Sequence, residues 1–515
     1  MSNVGIASFD RMPGQETDVC LIVEGCYPHI TGGVASWIDW LMRNLPQYTF
    51  SVLSLVSGDE PRTSKYSFPP NLMRFAELNL RPSAGQSRPI ELRVDAALVD
   101  LFAARLTRLL EDGGADALDD VLTTLSHLPR TPTYQDLTRA EFAWNVVCGM
   151  YRRMMPEASF LDYFWAWQSL VGGLFATLLF PLPAARTYHA ISTGYAGLVA
   201  ARAALETGAR AIVTEHGIYT NERRIEILTS DWISETIQNG LTVEDRHSDL
   251  RDLWIKAFES YARTCYEACD SITTLYSDNQ KLQLEMGADP SRLKVIPNGI
   301  DLARFGSLRA EPTDRPTIAL VGRVVPIKDV KTFIGAAAII RRAIPGVSVL
   351  VLGPLDEDRE YGEECRTLIR ELGLEDTVVL AGRVNVLEWL PKIQIMVLSS
   401  LSEAQPLTVL EAGAAGIPCV TTNVGSCREI LYGAEDEDPA YGIGGIVVDV
   451  VAPDQIAEGV IRLLRDEGLR LRTGANLRER VHALYSSERS RDAYAQLYGV
   501  SALQADGQEV VRWQA

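Results

Sequence analysis

Residues 317–353 read "TIALVGRVVPIKDVKTFIGAAAIIRRAIPGVSVLVLG", and the order of their apolar runs sets the fold class. A short apolar run, "TIALVG", ends in a polar loop, passes through a helical pattern and returns as a second apolar run, "VSVLVLG". Continuous apolar runs are what strands buried on both faces require. Two such strands joined through a helix make a parallel β–α–β unit. The alternation continues through "TVVLAG", "IQIMVLSS", "PCVTT" and "GGIVVD", then two helices, "DQIAEGVIRLLRD" and "LRLRTGANLRERVHALY". From Pro316 onward the chain is therefore expected to be doubly wound.

The same pattern occurs upstream. "DVCLIVEG", 18–25, reads as a buried strand, followed by the turn-rich loop "CYPHITGG" and a helix from near Val34. "YTFSVLSLV", 48–56, is a second strand. From about 57 to 185 the alternation breaks, and patterns such as "DAALVDLFAARLTRLLED" predict a helical insertion. Strands resume at "TYHAIS", "ARAIVTEHG", "DSITTLY" and "RLKVIPNG". The polar, aperiodic stretch 300–316, "IDLARFGSLRAEPTDRP", is the expected linker. This gives an N-terminal Rossmann-like domain over 1–300 and a second over 301–485. The segment 486–515 supplies a final helix that is a candidate to cross back onto the first domain.

Bulk properties narrow the function. A chain of 515 residues is too long for one core, which independently favours two domains. A net charge of −18 opposes general nucleic-acid binding, although a local basic pocket could still hold a phosphorylated small molecule. The eight cysteines are scattered without a C-x-x-C pair, as in a reducing compartment. Six histidines without an H-x-x-x-H pattern give no support to a transition-metal site. The N-terminus lacks an apolar leader core, so a cytoplasmic protein is expected. Tyr163 to Ala185 carries no charge, yet Gln168, Gly172, Gly173 and Thr177 mark a buried helix rather than a membrane span.

Several polar clusters fall where strands end, the usual ligand position in doubly wound folds. In "VGRVVPIKD", Arg323 follows a strand and Lys328 precedes a helix. Two cations placed so suit a diphosphate, one by a fork of donors and one as a point charge. Gly32 and Gly33 form a strand-to-helix turn where backbone N–H groups could approach phosphate. "TEHG", 214–217, exposes His216 at a strand end, and "IPNGID" places Asn298 in an Asn-Gly turn. In "SSLSEAQPLTVLEAGAAGIPCVTT", 399–422, Pro406 reads as the first helical residue. Glu403 is then in a loop and Glu411 in the helix, with the N–H groups of Leu407 and Thr408 available to an anion. Its alanines and glycines are expected to let the helix pack closely on the sheet.

"VGRVVPIKD", together with Glu403, seven intervening residues and Glu411, resembles the retaining nucleotide-sugar glycosyltransferases of family four. "VEGCYPHITGGVASWI", "YHAISTGYAGL", "TEHGIYTNER" and "VGSCREIL" resemble, within that family, the cytosolic transferases of bacterial Pel exopolysaccharide synthesis. The resemblance implies a GT-B architecture: two doubly wound Rossmann-like α/β domains facing across a cleft, the helical insertion in the N-terminal one. It assigns Arg323 and Lys328 to the donor diphosphate, Glu403 to the donor sugar and Glu411 to the ribose hydroxyls. Gly32 and Gly33 match the glycine loop near phosphate, and His216 a histidine beside the transferring sugar.

The implied co-substrate is a UDP-sugar, UDP-GalNAc or UDP-GlcNAc, with UDP-glucose as the runner-up, and no metal or other cofactor is required. The implied partners are a glycan acceptor and membrane synthase subunits of the Pel type that would recruit the protein to the inner membrane. Ala404, Gln405 and Pro406 stand where the family more usually has Gly, Phe and Gly, which bears on donor-sugar preference. The rival readings are a family-four transferase of another glycan pathway and a weakly catalytic nucleotide-sugar-binding subunit. A NAD-dependent oxidoreductase is disfavoured by the missing G-x-G-x-x-G fingerprint.

Overall fold

The computed structural model describes residues 8–82, 92, 94–229, 250–311 and 313–505. The outermost parts of the first and last expected segments, 1–7 and 506–515, lie outside the described residues. The chain divides into two compact units. One comprises Met1–Thr274, Gln280–Lys294 and Ala495–Ala515, the other Leu275–Asn279 and Val295–Tyr494.

The first unit holds a sheet built from β1 (Phe9–Asp10), β2 (Thr17–Glu24), β3 (Phe50–Val56), β4 (Leu72–Asn79), β5 (Ala185–Ala190), β6 (Arg210–Glu215), β7 (Ser271–Thr274) and β8 (Leu293–Val295). Its order is β1-β4-β3-β2-β5-β6-β7-β8. β2, β3, β4, β5, β6 and β7 pair in parallel with their neighbours, and β1 lies antiparallel on β4. Every residue of β3 is buried, including Ser51, whose hydroxyl bonds that of Thr17, and Ser54, whose hydroxyl donates to the Tyr27 carbonyl.

β4 corrects the expected insertion, which was to start near residue 57. Only Leu72, Phe75 and Leu78 of that strand are fully buried, so it lacks the unbroken apolar run that marks its neighbours. The inserted helices follow it: Ala96–Glu111, Ala115–Ser126, Tyr134–Thr138, Glu141–Met154 and Phe160–Leu179. Their starts are specified locally. Asp95 accepts from the Leu98 amide at 2.7 Å, and Thr133 with Asp136 forms a capping box. The uncharged stretch lies largely in helix Phe160–Leu179, whose second half is buried before the chain enters β5. Among the described residues no helix is long and apolar enough to cross a membrane.

The second unit holds β9 (Thr317–Val321), β10 (Ser348–Leu352), β11 (Val378–Gly382), β12 (Ile395–Leu398), β13 (Cys419–Thr422) and β14 (Gly445–Val448). All are parallel, in the order β11-β10-β9-β12-β13-β14. Alternate residues of a strand face opposite ways. Ile318 and Leu320 accordingly join one core with helices Val330–Ala343 and Pro453–Arg465. Ala319 and Val321 join another with Leu407–Ala414 and Glu467–Leu484.

The expected linker, 300–316, is not a free connector. The long segment of the second unit begins at Val295, and helix Leu302–Phe305 buries Phe305. The Ile300 amide donates to the Tyr485 carbonyl at 2.9 Å, and the Ser487 amide donates to Ile300 at 2.9 Å. A Cβ on Gly299 would lie 2.2 Å from the Ser486 carbonyl oxygen, so glycine is needed for that approach. Polar composition concealed a backbone clamp. Helix Ser487–Ala505 follows directly, and its residues from Ala495 belong to the first unit. There the Tyr48 hydroxyl bonds the Ala495 carbonyl at 3.0 Å, and Tyr498 lies 2.6 Å from His189 Nδ1.

Candidate functional site

In the second sheet β9 and β12 are neighbours, and the chain leaves them toward opposite edges of the sheet. Such a reversal opens a crevice at the strands' carboxyl ends. The two loops there are tied together. Ser399 Oγ donates to the carbonyls of Lys328 (2.9 Å) and Asp329 (3.0 Å), and the Leu401 amide donates to Ile327 at 2.8 Å.

The turn Pro326–Lys328 ends at Asp329, which sits at φ 45° and caps the next helix by accepting from the Thr332 amide. This turn aims Lys328 back at the β12 loop. Its Nζ meets Glu403 Oε1, and Ser400 Oγ donates to the same oxygen at 2.6 Å. Both side chains are largely withdrawn from water, at 20% and 14% exposure. Their attraction is therefore less screened than at an open surface.

Arg323 does not join them. It pairs with Glu357 at 2.9 Å, and its side chain is 55% exposed.

The Glu403 loop rests on the segment after β13. The Ser426 amide donates to the Ala404 carbonyl at 2.8 Å. Gly425, at φ 50°, lies so close that a Cβ would be 2.2 Å from Ala404 O and 2.3 Å from Glu403 O. Pro406 is the residue before the helix, not its first residue, and the helix runs Leu407–Ala414. The amides of Leu407 and Thr408 have no backbone acceptor among the described residues, as expected for a helix start.

Glu411 lies one turn further on. Burial raises its pKa to about 7, with Arg304 pulling the other way. Asn298 is brought to this loop through its backbone, whose N–H donates to Gln405 Oε1 at 2.6 Å. Asn298 Oδ1 and Gln405 Nε2 are buried without partners among the described residues. The glycines of "EAGAAG" also need correcting: a Cβ on Gly413 would press on Leu477 and Val481 of helix Glu467–Leu484, and one on Gly416 would meet Arg478 of the same helix, not the sheet.

The first unit has its own reversal between β2 and β5. Gly32 precedes helix Gly33–Asn44 in extended conformation, and neither glycine's absent Cβ would meet an atom within 4 Å. Trp37 of that helix meets the His216 ring edge-on, centroids 4.7 Å apart. Burial lowers the His216 pKa to about 4, so its imidazole is neutral, and Nε2 is buried without a hydrogen bond among the described residues. His189 is built in by Tyr498 and Thr214, the latter 2.7 Å from Nε2.

Sequence reasoning missed Ser400, Gln405, Gly425 and Trp37 as parts of these arrangements. Gln405 had the strongest signal, since a polar side chain stands where the related motif has Phe. Gly425 had little, because its role depends on a loop more than twenty positions earlier. Among the described residues no group of three His, Cys, Asp or Glu side chains is placed to hold a metal ion.

The family described as "Domain of unknown function (DUF3492)" matches residues 17–291, and "Glycosyl transferases group 1" matches residues 308–480. D-inositol 3-phosphate glycosyltransferase of Acidothermus cellulolyticus is 30% identical over 39% of this chain and 46% of its own length. The chain spans about half the length of the curated relatives it matches first. Sucrose-phosphate synthase from Thermosynechococcus elongatus is 17% identical with a TM-score of 0.55, over 95% of this chain and 100% of that one. Anabaena HepE in complex with UDP and glucose is 13% identical with a TM-score of 0.54, over 94% and 100%. These likenesses establish the fold as GT-B, with two parallel-sheet α/β domains.

Proposed function

We propose that this chain, which belongs to the family described as "Domain of unknown function (DUF3492)", is a glycosyltransferase acting on a nucleoside diphosphate sugar. The observation that carries the reading is the Lys328–Glu403–Ser400 cluster at the reversal of the second sheet, beside the start of helix Leu407–Ala414. Lys328 and the free amides of Leu407 and Thr408 would hold the diphosphate and stabilise its charge as the glycosidic bond breaks. Glu403 would accept from donor-sugar hydroxyls and Glu411 from the ribose. Arg323 would reach the diphosphate by exchanging Glu357 for phosphate.

The "Glycosyl transferases group 1" match over 308–480 and the transferase names of the relatives support this class. Transfer with retention and no required metal or other cofactor belongs to the same proposal. The finer reading is a transferase of the PelF subgroup, acting on a bacterial Pel-type exopolysaccharide. It would use UDP-GalNAc or UDP-GlcNAc, with UDP-glucose as runner-up, beside membrane synthase subunits at the cytoplasmic face. The sequence stretches around Gly32, His216 and Ser426 support that choice.

Calorimetric titration with UDP and UDP-sugars, repeated on Lys328→Ala and Glu411→Ala, tests the donor site. Unchanged UDP affinity in both variants removes it. Turnover with a glycan acceptor separates an enzyme from a binding subunit.

A further inference from the structure

A cavity of about 320 Å³ opens in the first unit where β2, β3 and β4 end, against the inserted helix Phe160–Leu179. A second, of about 260 Å³, shares Arg81 and Ser169 with it and extends to Tyr134, Arg139, Trp165 and Gln168. Together they match the size of small-ligand sites, about 300–1,000 Å³. The helix makes room for their aromatic walls. A Cβ on Gly173 would lie 2.6 Å from the Tyr195 ring, and one on Gly172 would lie 2.9 Å from the Tyr134 hydroxyl.

The charges of the joined cavities do not balance internally. Glu24 is engaged by the Tyr219 hydroxyl at 2.7 Å and by Ser192 at 3.0 Å. Glu226 pairs with Arg223 at 2.6 Å. Arg81 and Arg139, by contrast, have side chains that enter no ion pair or hydrogen bond among the described residues. Burial raises the Tyr134 pKa, and Arg139 and Arg81 both lie close enough to pull the other way, which places two forks of donors at one opening. Gln168 Oε1 is buried there without a partner. Trp165 stands at the same opening, 60% exposed, and Tyr219 and Trp254 line the deeper cavity.

We infer that the joined cavities bind a glycan segment carrying an acidic group, carboxylate or phosphate, between Arg81 and Arg139. Its sugar rings lie on the aromatic walls. Guanidinium forks match either oxyanion in bidentate fashion, and aromatic faces suit the apolar faces of sugar rings. The choice of a glycan over another acidic ring compound rests on the proposed glycosyltransferase activity; the site itself lies wholly within the first unit.

The full chain is titrated with tetragalacturonate, trehalose 6-phosphate, free glucuronate and neutral chitotetraose, read by tryptophan fluorescence and calorimetry, with UDP as a separate ligand. The expected result is at least tenfold tighter binding of one acidic glycan than of chitotetraose, the stronger one identifying carboxylate or phosphate. Arg139→Gln loses that preference at least tenfold, Trp165→Ala weakens binding severalfold, and both keep wild-type UDP affinity; these two side chains are exposed, so folding is preserved. Equal binding of acidic and neutral glycans, no binding of either, or an unaltered Arg139→Gln variant overturns the inference. Free glucuronate binding as tightly as the tetramer overturns the glycan assignment. Loss of UDP binding alone counts against the proposed donor site and leaves this result standing.

Discussion

Gly425 lies against the carbonyl of Glu403 so closely that the smallest side chain would overlap it, at 2.3 Å. The contact joins the segment after β13 to the loop bearing Glu403, and it fixes that loop from below. Gly425→Ala therefore has to displace the loop and also hold alanine at φ 50°. The expected cost is about 1–3 kcal/mol of stability. UDP-sugar turnover should fall at least tenfold while the fold, followed by circular dichroism, persists. An alanine variant with native turnover removes the positioning role.

Lys328 and Arg323 should separate by magnitude. Lys328 is mostly buried against Glu403, whereas Arg323 is over half exposed and already paired. Lys328→Ala is expected to cost about 1.5–3 kcal/mol of UDP affinity, as for a charge-assisted hydrogen bond in a site largely withdrawn from water. Arg323→Ala should cost less, roughly 0.5–1 kcal/mol, and its effect should fade as salt rises. Titrations at low and high salt give the order directly, and the reverse order refutes it.

Glu411 makes stability depend on pH. Its pKa is about 7 in the folded unit, above the ordinary carboxylate value, because burial disfavours the charge. Between the two values the unfolded chain has released this proton and the folded chain still holds it, so stability falls as pH rises through that window. The loss is of order 3 kcal/mol by about pH 8. Glu411→Gln should remove it, so the variant gains on the wild type between pH 5 and pH 8 in urea unfolding. Parallel curves for the two proteins contradict the burial.

Arg480 and Glu437 form a pair at 2.7 Å with side chains only 1% and 6% exposed, and Arg480 also donates to the carbonyls of Leu431 and Gly442. Arg480→Met strands a buried carboxylate and should cost about 3–5 kcal/mol. Adding Glu437→Leu should recover most of the loss, because the pair's attraction mainly offsets its own desolvation. A double variant as unstable as the single one shows instead that the carbonyl contacts dominate.

His216 is held neutral by burial, with its pKa near 4. Its ring carbon NMR signals should not titrate between pH 5.5 and pH 8, and any part it takes in transfer must use the uncharged imidazole. A midpoint inside that range shows the ring open to water.

Much of this was legible in the sequence because buried parallel strands leave unbroken apolar runs. β2 and β9 announce themselves in that way, and the loops after them locate Gly32, Gly33, Arg323 and Lys328. β4 escapes because it is half exposed and lacks that signature. The 300–316 stretch looks like a linker because only a few apolar side chains, Ile300 and Phe305 among them, anchor it, and backbone bonds to Tyr485 and Ser487 do the rest. At the site, spacing locates Glu403 and Glu411 but not the partner each cation chooses. Arg323 finds Glu357 and Lys328 finds Glu403 because of where two loops fold, and no local pattern encodes that.

β9 feeds one core through Ile318 and Leu320 and another through Ala319 and Val321. Sliding it by one residue, about 3.3 Å, would thrust Ile and Leu into the space of Ala and Val on one face and leave voids on the other. The strand thus acts as a ruler graduated on two sides, and the reach from Lys328 to Glu403 is read off it. An insertion of one residue within β9 would spoil the proposed donor site without touching Lys328, Glu403 or Glu411.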